Sequence, residues 1–305
     1  MIPEVDTRSQ ETGGRFSSEE LNWILAQIQN AIREGRRPVG MMHHGLVPHT
    51  EIQPTTFPEY LLNDFENTAE TLADSGMNLV FTGHFHSQDT AVRKTEKGNV
   101  LYDVETGSLV TSPCPIRYVT LSGDKFSYTT DPVTEVSGLD LGTAQSFTEY
   151  ANDFLIIGMQ GLVESLLPSI LIQNGIPEAQ AGALAHQLAN QELADVITVK
   201  SMLADAFAAH YLGDESMPDT LKPVVKTLAS GEATENEQLK PLYQLLAGAV
   251  TALYTDSETA DRTSVNLTLS ALPEVSGGSG GTSGGSASGS SSSQDKPGTH
   301  TCPSG

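Results

Sequence analysis

Two histidine clusters hold the residue types that could do chemistry. Phe81-Thr82-Gly83-His84-Phe85-His86-Ser87-Gln88-Asp89 puts imidazoles at i and i+2 after a short apolar run, and Met42-His43-His44-Gly45-Leu46 puts two more upstream. Residues i and i+2 share a face of a continuing strand, and in a tight loop they can converge on one point. Either geometry lets His84 and His86 reach a common metal site. Neutral imidazole suits Zn, Mn or Fe, and bound cations activate water and neutralise anionic oxygens.

The elements around the clusters decide whether they meet. Ser17 and Glu20 have the spacing of a capping box, with Phe16 as a staple residue, and Leu21, Ile24, Leu25, Ile28 and Ile32 follow at helical spacing. Trp23 stands on the flank, and Gly35 stands where a helix ends. Pro38 to Met42 is an apolar run leading into His43. A second amphipathic helix is predicted from Tyr60 to Ala73, with Leu61, Leu62, Phe65 and Leu72 buried. Asn78 to Thr82 reads as a buried strand between Ser75-Gly76 and Gly83. Strand, crossover helix and strand make a βαβ unit with parallel strands. His43 and His84 then emerge on one edge, the edge where open α/β sheets place ligands.

Further strands are predicted at Asn99 to Asp103, Ser108 to Thr111, Arg117 to Leu121 and Lys125 to Thr129, with Ser122-Gly123-Asp124 as a hairpin turn. Helical periodicity then dominates from Phe147 to Leu171, Glu178 to Leu212, Leu221 to Ala229 and Leu239 to Tyr254. Thr263 to Ala271 alternates like a strand returning to the sheet. From Ser276 onward Gly and Ser dominate, a composition expected of a flexible tail. The division expected is 1–140 for the sheet-bearing part, 141–273 for a helical extension and 274–305 for the disordered tail.

With 38 acidic against 16 basic residues the net charge is −22, which argues against a nucleic acid as a stable partner. Cys114 and Cys302 are the only cysteines, too few and too far apart for a disulfide framework or a thiolate metal cluster. No run of eighteen apolar residues suggests a membrane span, and no signal peptide opens the sequence.

The order of an amphipathic helix, Met-Met-His-His-Gly-Leu-Val-Pro, a crossover, Val-Phe-Thr-Gly-His-Phe-His-Ser-Gln-Asp and Glu105-Thr106-Gly107-Ser108-Leu109 resembles the C-terminal half of a calcineurin-like metallophosphoesterase. The helical segment with Tyr211-Leu212-Gly213-Asp214-Glu215 is similar, more loosely, to the C-terminal extension of some bacterial members. The resemblance implies an α/β fold, a partial two-sheet sandwich followed by an α-helical C-terminal region. It implies a phosphoester hydrolase with two divalent metal ions, Mn, Zn or Fe, acting on a small-molecule phosphoester. His43 and His84 would be ligands of one metal and His86 of its neighbour, with His44 as the catalytic candidate, either facing the phosphate or supporting a ligand. The family's Asp-x-His, Gly-Asp and Gly-Asn-His motifs do not precede the helix at Ser17. The expectation is therefore an N-terminally truncated chain or one half of a split protein, with apolar surface exposed where further strands would pack, and little activity alone. An extracytoplasmic location, in the bacterial envelope or secreted, goes with this reading.

The other residues have plainer readings. His49 is a loop histidine bonded locally or in contact with substrate, and Asp89 a solvated carboxylate or one that orients a ligand imidazole. Arg117 reads as a surface or sheet-edge cation, Cys114 as a packed small residue, and Thr106-Gly107-Ser108 as a turn between strands. His186, His210 and His300 are bystanders. The competing function is a non-catalytic helical module for binding or surface display, carried on a flexible tether.

Overall fold

The Ser17 and Glu20 pairing does start a helix. In the computed structural model Ser17 Oγ accepts from the Glu20 N–H at 3.2 Å while the Glu20 carboxylate accepts from the Ser17 N–H at 2.7 Å. The structure describes residues 13–193, 197–213, 215–237, 239–254 and 264–273, all within one compact unit, Met1–Val275. The expected tail at 274–305, with Cys302 and His300, lies outside the described residues, as does Asp214.

The chain is mixed α/β. In order it forms α1 (Ser18–Arg33), β1 (Gly40–Met41), α2 (Gln53–Thr56), a 3-10 turn (Pro58–Tyr60), α3 (Phe65–Asp74), β2 (Leu79–Thr82), β3 (Thr90–Lys94), β4 (Val100–Glu105), β5 (Pro115–Ser122) and β6 (Lys125–Pro132). The helical region follows with α4 (Phe147–Gln173), α5 (Glu178–Ala189), β7 (Glu192–Leu193), β8 (Ile197–Thr198), α6 (Val199–Leu212), α7 (Lys222–Ser230) and α8 (Lys240–Leu253), and β9 (Ser264–Thr268) ends it.

Four strands form one sheet in the order β1-β2-β4-β3, and β5-β6-β9 form another. β1 and β2 are parallel, as the βαβ reading expects, with Met41 opposite Phe81. β4 is parallel to β2, with Thr82 opposite Glu105, and β3 closes the sheet antiparallel to β4. Alternation then sorts the side chains. Val80, Leu101 and Ala91 pack with Ile28, Ile32 and Leu72 of α1 and α3. On the opposite face Leu79 and Val104 pack with Phe126 and Tyr128 of the second sheet. β9 returns to pair with β6, Val265 opposite Tyr128, as its alternation foretells.

Several elements differ from expectation. The second helix starts at Phe65 rather than Tyr60, because Asp64 takes a left-handed backbone (φ +59°) that breaks helical geometry; Leu61 and Leu62 are buried all the same, in bridges to Gly45 and Gly14. Ser108 to Thr111 is a turn, and β3 occupies a stretch where no strand was predicted. The predicted helix from Glu178 to Leu212 is split by the β7-β8 pair. α4 is long and apolar enough by length and composition to cross a membrane, since scattered polar residues interrupt the run without lowering its average, and only 22% of its most apolar window is buried. Of the five apolar positions of α1, only Ile28 and Ile32 are fully buried, and Trp23 is exposed.

Apolar side chains are exposed at two strands. Met41 lies on the face that Phe81 turns toward the second sheet and is 86% exposed. Val119 and Leu121 of β5, opposite Tyr128 and Phe126, are also exposed, so the layer between the sheets stays open at β1 and β5.

Candidate metal site at the ends of the parallel strands

Backbone pairing brings the two histidine clusters together. Past the ends of β1 and β2 the Met42 N–H donates to the Phe81 carbonyl at 3.0 Å and the Gly83 N–H to the His43 carbonyl at 3.1 Å. The rings follow: His84 lies 4.4 Å from His43 and 4.8 Å from His44, and His43 lies 5.6 Å from His44, centroid to centroid. The Tyr60 ring lies 4.5 Å from that of His84, tilted by 33°. Glycines make room, since a Cβ on Gly14 would meet the His44 ring at 3.3 Å.

His84 and His86 both sit in the left-handed region, at φ +76° and +65°. Non-glycine residues held there cost about 1–3 kcal/mol each and persist where their surroundings over-determine them. Burial of Phe85 between them, worth about 1.5–3 kcal/mol, is of the size needed to hold one of the two. His86 pairs through Nδ1 with the Thr111 hydroxyl at 3.4 Å, and Gly107 lets the chain approach, because a Cβ there would stand 3.1 Å from the His86 carbonyl.

Burial and then the neighbouring His43, His44 and His86 push the His84 pKa down to about 4, and burial and His43 lower that of His86. His84 is therefore neutral at pH 7, and its Nε2 is buried without a hydrogen-bond partner. By chemistry His84 fits a divalent metal ion: it is an uncharged imidazole with an unspent ring nitrogen, set among three further imidazoles. In position they fall short, because among the described residues no group of three or more His, Cys, Asp or Glu side chains is placed to hold an ion. A groove of about 410 Å³ lies elsewhere, lined by Tyr118, Thr120 and Tyr128.

Behind the histidines is a buried ionic cluster that sequence reasoning missed. Leu101, Asp103 and Glu105 share one face of β4, which passes from apolar to acidic toward the strand's C-terminal end. One Asp103 oxygen accepts from the Leu46 and Val47 N–H groups at 2.6 and 3.0 Å, and the other accepts from the Thr82 hydroxyl. Asp103 thus fastens the segment after His43-His44 to the sheet. Ser87, just after His86, donates to Glu105 at 3.0 Å. The available signal was Asp103, an acid between Tyr102 and Val104 of an apolar strand, with a second acid, Glu105, two residues on.

His49 is in this cluster, fully buried, so it cannot touch substrate as one reading held. Its Nδ1 pairs with Asp89 at 2.8 Å, and its Nε2 lies 3.5 Å from Glu105 and 3.6 Å from Asp103. Asp89 is buried and orients His49 rather than one of the four clustered imidazoles, and it is not a solvated carboxylate. Arg117 is on edge strand β5 but not solvated: its guanidinium lies 4.1 Å over the Tyr128 ring, donates to the Glu105 carbonyl, and has its pKa lowered by burial. Cys114 is buried with its thiol pKa raised by burial, which makes it inert. His186 is exposed, while His210 is buried 2.7 Å from Glu215.

The cluster makes stability depend on pH. Burial raises Glu105 from 4.5 to about 8. Burial by itself would lower His49, but Glu105, Asp103 and Asp89 outweigh it and raise it well above 6.5. A folded state that keeps protons the unfolded chain releases loses stability as pH rises, between 4.5 and about 8 for Glu105 and from 6.5 upward for His49. His84 and His86, lowered in the fold, act in the opposite sense below 6.5 and offset part of this. Above 6.5 only the loss remains. In chelator-treated protein the melting temperature is expected to fall from pH 6.5 to about pH 9, with a shallower slope in Glu105→Gln; a flat profile would refute the shared-proton cluster.

No protein-family model and no curated protein matches the chain, so the grouping of these histidines on one parallel-strand edge rests on the geometry alone.

Proposed function

We propose that the chain carries the histidine half of a metal-dependent phosphoester hydrolase site, on a two-sheet scaffold of the calcineurin-like metallophosphoesterase type. The observation that supports it is the gathering of His43, His44 and His84 past the ends of adjacent parallel strands, with His84 and His86 held in left-handed backbone. In this reading His43 and His84 would hold one divalent ion, Mn, Zn or Fe, and His86 its neighbour. When bound, such ions lower the pKa of water and neutralise charge on a phosphoryl oxygen. His44, beside a ligand and outside the ligand set, faces the phosphoryl group of a small-molecule phosphoester. Burial keeps His84 unprotonated and able to donate its lone pair. Asp103 and the bond from Gly83 to His43 keep the two clusters in register.

A second reading, a non-catalytic helical module for binding or display, draws on a specific observation: among the described residues no three candidate ligands are placed to hold an ion. One experiment separates them. The purified chain is incubated with Mn2+ or Zn2+ and a chromogenic phosphodiester, and ion uptake is measured in parallel. Uptake with little turnover is expected, because among the described residues no carboxylate joins these histidines in a group placed to hold an ion. Turnover removed by chelator would make the chain an enzyme by itself. Neither uptake nor turnover would leave the helical module as the better reading.

A further inference from the structure

We infer that the helical region sets the position of the histidine loop through Phe85 and Gln88, which makes it a built-in support of the site rather than a separate module; the inference rests on the metal-site reading above. Side chains along the loop alternate in destination. His84 joins His43 and His44, whereas Phe85 is buried in the core of the helical region. Its ring lies 5.6 Å from those of Phe57 and Tyr60 and 6.3 Å from that of Tyr211. Tyr60 links the two, since its ring lies 5.6 Å from that of Phe85 and 4.5 Å from that of His84.

Gln88 ends the loop on the last turn of α6. Its N–H donates to the His210 carbonyl at 3.1 Å, and its side-chain amide donates to the Tyr211 carbonyl at 3.2 Å. The last four carbonyls of a helix have no partner within it, so the loop and the helix end satisfy each other. The consequence lies in the backbone. His84 and His86 hold a conformation that L residues rarely adopt, and the residue between them is the one anchored in the helices. Release of Phe85 frees both histidines at once.

The test uses the full chain with Co2+ as the probe. Phe85→Ala and Gln88→Ala are compared with the unaltered chain by Co2+ titration followed in the ligand-field bands, and, without metal, by hydrogen–deuterium exchange of a peptide covering residues 83–89. Each variant is expected to exchange faster in that peptide but not in α4, and to bind Co2+ about 10–100-fold more weakly with altered bands. Phe85→Leu, which keeps an apolar anchor, should recover most of the affinity. Unchanged affinity and bands in folded variants would overturn the inference, even if exchange quickened, because the anchor would then serve packing alone. If Phe85→Ala does not fold, Gln88→Ala decides by the same comparison. If the unaltered chain takes up no Co2+, the metal reading fails by itself, and exchange at 83–89 alone decides for or against the positioning.

Discussion

Replacing His84 with alanine is expected to weaken Co2+ binding by at least about 100-fold, the upper end of what residues that only support a ligand cost when removed. His84 is the hub of the cluster, with His43 at 4.4 Å, His44 at 4.8 Å and Tyr60 at 4.5 Å. Its Nε2 is buried with no partner, a state costly for a ring that serves only packing. Alanine at φ +76° would also disturb the backbone, which alone could blur the result. His84→Asn separates the causes, because asparagine tolerates left-handed geometry and lacks the imidazole. Equal loss of binding in both variants, by titration calorimetry, is the expected outcome. Normal binding with lowered melting temperature would mean that His84 packs against Tyr60 and holds no ion.

The largest effect on stability is expected at Asp103. Leucine there removes the acceptor of the Leu46 and Val47 N–H groups and of the Thr82 hydroxyl, and takes one carboxylate from beside His49. Stranding one side of a buried ionic group costs about 3–5 kcal/mol, because the groups left behind have neither partner nor water. At about 2–4 °C per kcal/mol for a domain of this size, the melting temperature should drop by roughly 10 °C. Asp103→Asn keeps one acceptor oxygen and should lose less. A loss under about 1 kcal/mol in denaturant unfolding of Asp103→Leu would show that water reaches the cluster and that Asp103 does not fasten the His43-His44 segment.

Local regularity made much of the fold legible. Ser17 and Glu20 announce α1 because the capping box is made by residues three apart, with no help from elsewhere. The hairpin at Gly123 and the strand at Leu79–Thr82 were readable for the same reason. The β7-β8 interruption was not, since Gln191 to Val199 holds few residues that local propensity forbids in a helix. At the site, the nearness of His43 to His84 follows from topology alone: two parallel strands joined by a crossover must end on the same side.

By itself, then, the sequence determined which segments are helix or strand wherever caps, turns and periodicity act over a few residues, and through the parallel pair it determined that His43 and His84 share an edge. Only the tertiary structure decided what lies behind and beside them. His49 meets Asp89 across 40 positions, Asp103 meets Leu46 across 57, and Gln88 meets the Tyr211 carbonyl across 123. No local rule selects such partners. Burial by layers from distant parts of the chain excludes water there, and that exclusion turns ordinary acids and a loop histidine into a coupled cluster. It also holds His84 and His86 in a backbone shape that neither residue would adopt alone.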